Sequence, residues 1–271
     1  MPKTTIPTVL TIAGSDNYGG AGIEIDSKTI HALGGYAFNT TTALTAQNST
    51  GVKEVLVTPA YFFEKQLESI LSDIKIDAVK IGMLGNSDIL NIVIKVIKKY
   101  RLKNIVLDTV LVSSSGKDLL DPKAINTLIE ELFPLVDLIT PNIPETNKLI
   151  GKSYLGKDNE IDEMANALLN LGANNVLIKG GHSPYLNIAT DYLVLNDLTK
   201  KSFTSKKIIT THTHGTGCLL SSAIATNLAL GNTLIKSVEN SKKFLFSKLK
   251  DSSSLYFNYI EKKTNRKEPI F

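Results

Sequence analysis

The segment Thr211-His-Thr-His-Gly-Thr-Gly-Cys218 concentrates residue types that do chemistry. Behind it Leu220, Ala223, Ile224, Asn227 and Leu228 recur at helical spacing, which predicts a helix that opens near Gly217 and stops at Gly231. The N–H groups left free at such a start, with the positive dipole end behind them, suit a phosphate or a developing phosphoryl charge. Gly215, Thr216 and Gly217 are then the candidate anion cradle, the glycines letting backbone come close to the ligand. Cys218 at that position is expected to have a lowered pKa and to serve as a thiolate general base. The other reading is a small buried hydrophobe, the usual fate of a lone cysteine. His212 and His214 point to opposite faces of an extended segment and have no third ligand nearby in sequence, so they are read as pocket or surface histidines, not as a metal pair.

A second segment, Ala13-Gly-Ser-Asp-Asn-Tyr-Gly-Gly-Ala-Gly22, follows a strand-like run and precedes a helix that contains Asp26. Its spacing fails the dinucleotide fingerprint, yet its place makes it a ligand loop at the carboxyl end of a strand, or a tight turn with glycines for packing. Gly151-Lys-Ser-Tyr-Leu-Gly-Lys-Asp158 imitates a phosphate-binding loop but ends in Asp158 where a hydroxyl is required, and it reads as a surface loop. Three further polar sites close strand candidates: Asp108, then Asn142 with Glu145, then Lys179. A carboxylate pair with an amide suits Mg²⁺, and a strand-end lysine suits a nucleotide phosphate; taken singly, each also fits a helix cap or a solvated terminus.

Elements must hold these residues together. Strands are expected at Thr8 to Ala13, Tyr36 to Thr42, Ala78 to Gly82, Asn104 to Asp108, Leu138 to Thr140 and Asn175 to Lys179. Helices are expected at Gly22 to Leu33, Ala60 to Ser72, Ser87 to Lys99, Pro122 to Phe133 and Glu160 to Leu171, with two more ending near Leu230 and Leu249. That alternation is the pattern of βα units around a mostly parallel sheet. Ile188 to Leu195 and Lys201 to Ile209, split by Asn196-Asp197, predict an antiparallel hairpin at a sheet edge. No linker or repeat divides the 271 residues, so residues 1–271 are read as one α/β domain.

One cysteine and four histidines exclude a disulfide framework and thiolate-built zinc or iron–sulfur sites, and fit a reducing, cytoplasmic compartment. No apolar run approaches the roughly 20 residues of a membrane span. The net charge of +4 is concentrated in the tail: residues 241–271 hold eight basic and three acidic residues, leaving 22 basic against 23 acidic before them. A nucleic-acid partner is therefore not expected, and the tail is read as a solvated helix with a frayed end.

Several stretches together resemble the hydroxymethylpyrimidine and phosphomethylpyrimidine kinases of thiamine biosynthesis, members of the ribokinase superfamily and close to pyridoxal kinases. The resemblance is carried by Leu10-Thr-Ile-Ala-Gly-Ser-Asp16 with Gly19-Gly-Ala-Gly22, Leu44-Thr-Ala-Gln-Asn48, Lys80-Ile-Gly-Met-Leu84, Val106-Leu-Asp-Thr-Val110, Thr140-Pro-Asn-Ile-Pro-Glu145, Ile178-Lys-Gly-Gly-His182 and Thr213-His-Gly-Thr-Gly-Cys218. It implies a ribokinase-like three-layer sandwich and ATP- and Mg²⁺-dependent phosphorylation of a small hydroxymethyl heteroaromatic. It further implies that Cys218 is the base and Gly215 to Gly217 the anion hole. Asn142, Lys179 and Asp108 would face ATP, Glu145 and Asp108 the Mg²⁺, and Gly14, Asp26, Gln47 and Met83 the pyrimidine. The alternative within the superfamily is a pyridoxal, pyridoxine or pyridoxamine kinase; a non-catalytic sensor would have no use for the base. A homodimer is the family expectation. Thr109 stands where relatives often have Pro, and Asn17-Tyr18 replace small residues, which would reshape the mouth of the substrate pocket.

Overall fold

The computed structural model describes residues 6–112, 116, 119–208, 214–250, 252 and 257. The first half of the chain runs β1 (Thr8–Asp16), α1 (Gly22–Ala32), β2 (Tyr36–Asn48), β3 (Gly51–Val57), α2 (Ala60–Leu71), β4 (Ala78–Ile81), α3 (Ser87–Tyr100) and β5 (Ile105–Leu107). The second half runs α4 (Ile125–Thr127), β6 (Leu138–Ile139), α5 (Ile143–Ile150), α6 (Ile161–Asn170), β7 (Val176–Ile178), β8 (Ile188–Val194), β9 (Lys200–Lys206), α7 (Thr216–Ala229) and α8 (Leu234–Lys250). All nine strands form one sheet in the order β3-β2-β1-β4-β5-β6-β7-β8-β9. Its centre, from β2 to β7, is parallel. The chain thus forms an α/β sandwich with helices on both faces of a mostly parallel sheet.

Strand alternation explains the two layers. Leu10 and Ile12, Val79 and Ile81, Ile105 and Leu107, and Val176 and Ile178 face a core filled by α2, α3 and α6. The intervening residues Val9, Ala78, Val106, Leu138 and Leu177 face the opposite layer with Ile25, Ile30, Leu219, Ile224 and Val238 of α1, α7 and α8. The same parity sends Thr11, Lys80, Asp108 and Lys179 toward α7. Because β2 leaves β1 on one side and β4 joins on the other, strand order reverses between β1 and β4, the switch point at which open α/β sheets bind ligands.

The predicted hairpin is observed as β8 and β9, paired from Ile188↔Lys206 to Val194↔Lys200. Both sheet edges are antiparallel, however: β2 extends past the expected Thr42 to Asn48 and turns back as β3, paired from Ala43↔Val57 to Asn48↔Gly51. The expected Pro122 to Phe133 helix is broken into a 3₁₀ turn (Pro122–Ala124), α4, a π turn (Leu128–Leu132) and a second 3₁₀ turn (Phe133–Leu135). Pro134 has no N–H for the Glu130 carbonyl, so a regular α ladder cannot run through the end of the segment. Gly151, at φ 65°, caps α5, and the 151–158 stretch lies away from the cavity described below, as a surface loop does.

Candidate active site

A cavity of about 1030 Å³ opens at the carboxyl ends of the parallel strands and meets the start of α7. Gly215 caps that helix with φ 82°, and a Cβ there would lie 1.8 Å from the Gly20 carbonyl oxygen of the β1–α1 loop. A Cβ on Gly217 would meet Asp108 Oδ2 at 3.2 Å and Lys179 Nζ at 3.3 Å. The two glycines thus wedge the helix start between the β1 loop and the ends of β5 and β7. The first-turn N–H groups of α7 lack intrahelical acceptors, so this is a donor-rich cradle for an anion. Gly215, Thr216, Gly217 and Cys218 all line the cavity.

Beside the cradle, Lys179 Nζ donates to Asp108 Oδ1 at 2.7 Å and lies 3.8 Å from Glu145 Oε2. Burial alone would favour the neutral amine, but Asp108 and Glu145 hold Lys179 well above the usual lysine range. Asp108 is 2% exposed. Burial opposes its charge, yet Lys179 and Lys80 keep its carboxyl below the ordinary value. Asn142 and Glu145 form a capping box at the start of α5: the Glu145 N–H donates to Asn142 Oδ1 and the Asn142 N–H to Glu145 Oε2, each at 2.8 Å. Thr109 Oγ1 also donates to Glu145 Oε2, at 3.2 Å. Burial raises the Glu145 carboxyl, and Asp108 adds to the effect. Asp108 and Glu145 together present hard oxygen donors at one end of the cavity, a set that fits Mg²⁺ held by one or two carboxylates together with phosphates.

Toward the β1, β2 and β4 side the wall is made by Gly14, Gln47 and Met83. A Cβ on Gly14 would lie 3.0 Å from Met83 Sδ, so the glycine makes room for the thioether. Thr42 Oγ1 donates to the Met83 carbonyl at 2.6 Å and fixes that turn. Gln47 sits just past a bulge in β2, its N–H donating to Asn17 Oδ1 at 2.8 Å.

A match of residues 16–262 to the model of the phosphomethylpyrimidine kinase family decides the assignment. The chain belongs to this family. It is 42% identical to the hydroxymethylpyrimidine/phosphomethylpyrimidine kinase of Escherichia coli over 246 residues, which are 91% of this chain and 92% of the relative. The crystal structure of the Clostridium difficile phosphomethylpyrimidine kinase superposes with a TM-score of 0.77 at 39% identity, covering 89% of this chain and 98% of that one. The Bacillus subtilis pyridoxal kinase in its ADP complex gives 0.84 at 33% identity, covering 93% and 94%. As a member of the phosphomethylpyrimidine kinase family the chain is a phosphotransferase, and ATP use follows from that class.

For this kinase two expectations require correction. Burial pushes the Cys218 thiol up to about 11, Asp26 and Asp108 adding to the effect while Lys80 and the Gly22 N–H oppose it; the lowered pKa expected from the helix start is overridden by burial and two carboxylates. Asp26, expected against the substrate, lies off the cavity wall and is fully buried. Its Oδ2 accepts from Thr11 Oγ1 at 2.6 Å and Lys80 Nζ at 2.7 Å, and its Oδ1 from Ser222 Oγ at 2.6 Å. Tyr18 is likewise absent from the wall, although its neighbour Asn17 holds the backbone of Gln47. His212 lies outside the described residues. Among those described, no group of three His, Cys, Asp or Glu could hold a metal by itself.

Two residues that the sequence did not single out, Asp16 and Lys80, also line this cavity. Asp16 accepts from the N–H groups of Tyr18, Gly20 and Ala21 at 2.8 to 3.0 Å and lies 3.2 Å from His214 Nε2. Burial alone would raise its carboxyl, but bonds from His214, Gln47 and the Tyr18 N–H bring it down to about 2. Asp16 thereby ties the first loop to the segment entering α7. Lys80 is fully buried yet borders the cavity. The available signal was period two, since Lys80 shares strand parity with Ala78 on the α7 side.

Proposed function

We propose that this kinase transfers the γ-phosphoryl group of ATP to the hydroxymethyl oxygen of 4-amino-5-hydroxymethyl-2-methylpyrimidine, and then a second phosphoryl group to the monophosphate. The observation that carries the reading is the placement of Cys218 and the α7 cradle between a wall of Gly14, Gln47 and Met83 and the group Asp108, Asn142, Glu145 and Lys179, all lining one cavity. Gln47 offers both donor and acceptor to the edge of an aminopyrimidine, and Met83 its thioether to the ring.

In this mechanism the Cys218 thiolate takes the hydroxyl proton as the hydroxymethyl oxygen forms its bond to the γ-phosphorus. The bond from that phosphorus to the β–γ bridging oxygen breaks, and its electron pair leaves on ADP. The cradle from Gly215 to Cys218 neutralises charge on the transferring group, and Lys179 faces the nucleotide phosphates. Asp108 and Glu145 would hold Mg²⁺ with Asn142 beside them; when bound, it neutralises phosphate charge. In-line transfer asks mainly for positioning and charge stabilisation, and both are built on rigid strand ends here. The enzyme is read as one domain working in the cytoplasm, with a dimeric state as the family expectation. Among the described residues no helix is long and apolar enough to cross a membrane.

A coupled MgATP assay with the hydroxymethylpyrimidine and pyridoxal side by side tests the reading. A higher kcat/KM for the pyrimidine is expected, with Gln47→Met removing the preference; a preference for pyridoxal would move the protein to vitamin B6 salvage. Replacing Cys218 by Ala is expected to lower kcat by at least about 10²-fold with the pyrimidine still bound. An unchanged kcat would remove Cys218 as the base.

A further inference from the structure

Lys80 lies at the end of β4 with no exposed surface, and a hydrogen bond to Asp26 Oδ2 at 2.7 Å anchors its ammonium. Gly82 leaves room for it: a Cβ there would come within 2.8 Å of Lys80 Nζ. Asp26 is held from the other side by Ser222 Oγ at 2.6 Å. Ser222 is four residues after Cys218 in α7, so the two side chains stack on one face of the helix, one turn apart. The ion pair therefore sits one helical turn behind the thiol, and both Lys80 and Cys218 border the cavity.

We propose that the Lys80–Asp26 ion pair is a positioning device for the base: the Lys80 ammonium supplies the positive charge that eases formation of the Cys218 thiolate against burial, and Asp26 sets how much of that charge reaches the sulfur. The inference rests on the kinase reading above for its use in catalysis, but not for its test.

The charges facing Cys218 come from several elements. Lys80 on β4 favours the thiolate; Asp26 on α1 and Asp108 after β5 oppose it; the Gly22 N–H at the start of α1 favours it; Lys179 after β7 senses the sulfur in turn. Burial raises the Asp26 carboxyl, yet three donors converge on it, Lys80 among them, which is the arrangement of a bound carboxylate. A lysine placed only to fill the core would have no reason to end on the cavity wall beside the base. A buried ammonium there carries its field to the sulfur with little screening by water.

The test uses the fact that Cys218 is the single cysteine of the chain, so thiol alkylation by iodoacetamide reads one residue without any substrate. Rates are measured at pH 8.5 on folded protein, verified by circular dichroism, for wild type, Lys80→Met, Asp26→Asn and the double variant. A tenfold change in thiolate fraction, partly offset by the change in nucleophilicity, gives about threefold in rate. Asp26→Asn is expected to react about threefold faster than wild type and Lys80→Met about threefold slower, with the double variant between wild type and Lys80→Met. A packing role would move both single variants in the same direction, or neither, and either result overturns the proposal. Should a single variant not fold because a charge is left unpaired in the core, the neutral double variant decides: slower alkylation than wild type supports the proposal, and equal or faster alkylation overturns it. Failure of the kinase reading would show in the phosphoryl-transfer assay and leave these rates untouched.

Discussion

The proposed base, Cys218, with its thiol pushed up to about 11, would leave a kinetic signature. At neutral pH Cys218 is almost entirely thiol, so log kcat/KM is expected to climb with pH from 7 to 9 without levelling, and the slope to vanish in Cys218→Ala. A plateau reached below pH 7 in wild type would contradict the raised thiol. Asp16 makes a different prediction, about stability. Its folded pKa of about 2 lies below the ordinary 3.8, so its contribution is present above the ordinary value and is lost as pH falls through the folded value. The stability gap between wild type and Asp16→Asn, measured by urea unfolding, should therefore close between about pH 5 and pH 2. Because Asp16 also holds Gln47, the same variant should raise KM for the pyrimidine more than it lowers kcat. An effect on kcat alone would separate Asp16 from the substrate wall.

Among the elements, the start of α7 does most to assemble the site, and its two glycines differ in kind. Gly215 has φ 82° and a backbone oxygen 1.8 Å from where a Cβ would sit, and backbone cannot yield cheaply. Gly215→Ala is expected to cost more than about 3 kcal/mol in urea unfolding, a size that belongs to strain at a special position. Gly217 meets instead the ends of two side chains, Asp108 and Lys179, which can shift by a few tenths of an ångström. Gly217→Ala should therefore stay within about 1 kcal/mol of wild type in stability while lowering kcat, because it moves the carboxylate and the ammonium proposed to face the nucleotide. Equal stability losses in the two variants would show that the β1 loop is softer than its contacts imply. The start of α5 works by another device: the Asn142–Glu145 capping box satisfies the helix end and aims the same two side chains at the cavity.

For the molecule as a whole, the ligands would clamp the sheet across its switch point, since the cavity draws residues from β1, β2 and β4 on one side and from the segments just after β5, β6 and β7 and from β8 and β9 on the other. Binding to the folded state alone stabilises by about 2.7 kcal/mol at a hundredfold excess over Kd, so saturating MgADP should raise Tm by roughly 5 °C. No change in Tm at such concentrations would count against nucleotide binding in this cavity. The apolar outer residues Leu44 and Leu56, paired across β2 and β3 at 53% and 65% exposed, belong to the edge hairpin whose tip also borders the cavity.

Period-two and helical patterns were enough to read the six parallel strands, the helix start at the glycine stretch before α7 and the strand-end positions of Asp108, Asn142, Glu145 and Lys179, because those patterns report local geometry that each segment imposes on itself. The β2–β3 hairpin escaped notice because Gly51–Val57 has two charged residues together and breaks strict alternation, so only pairing with β2 reveals it as a strand. What tertiary structure alone decided is which charges meet. The helix start by itself argues for an acidic Cys218, whereas the fold brings the charges of Asp26 and Asp108, 192 and 110 residues distant in sequence, to bear on it and half-buries it. Asp26 reads as a cavity carboxylate until β4 delivers Lys80 against it, 54 residues away. Side-chain type and spacing are local properties; the electrostatic environment of a buried group is summed over whatever the fold packs around it, and that sum has no local signature.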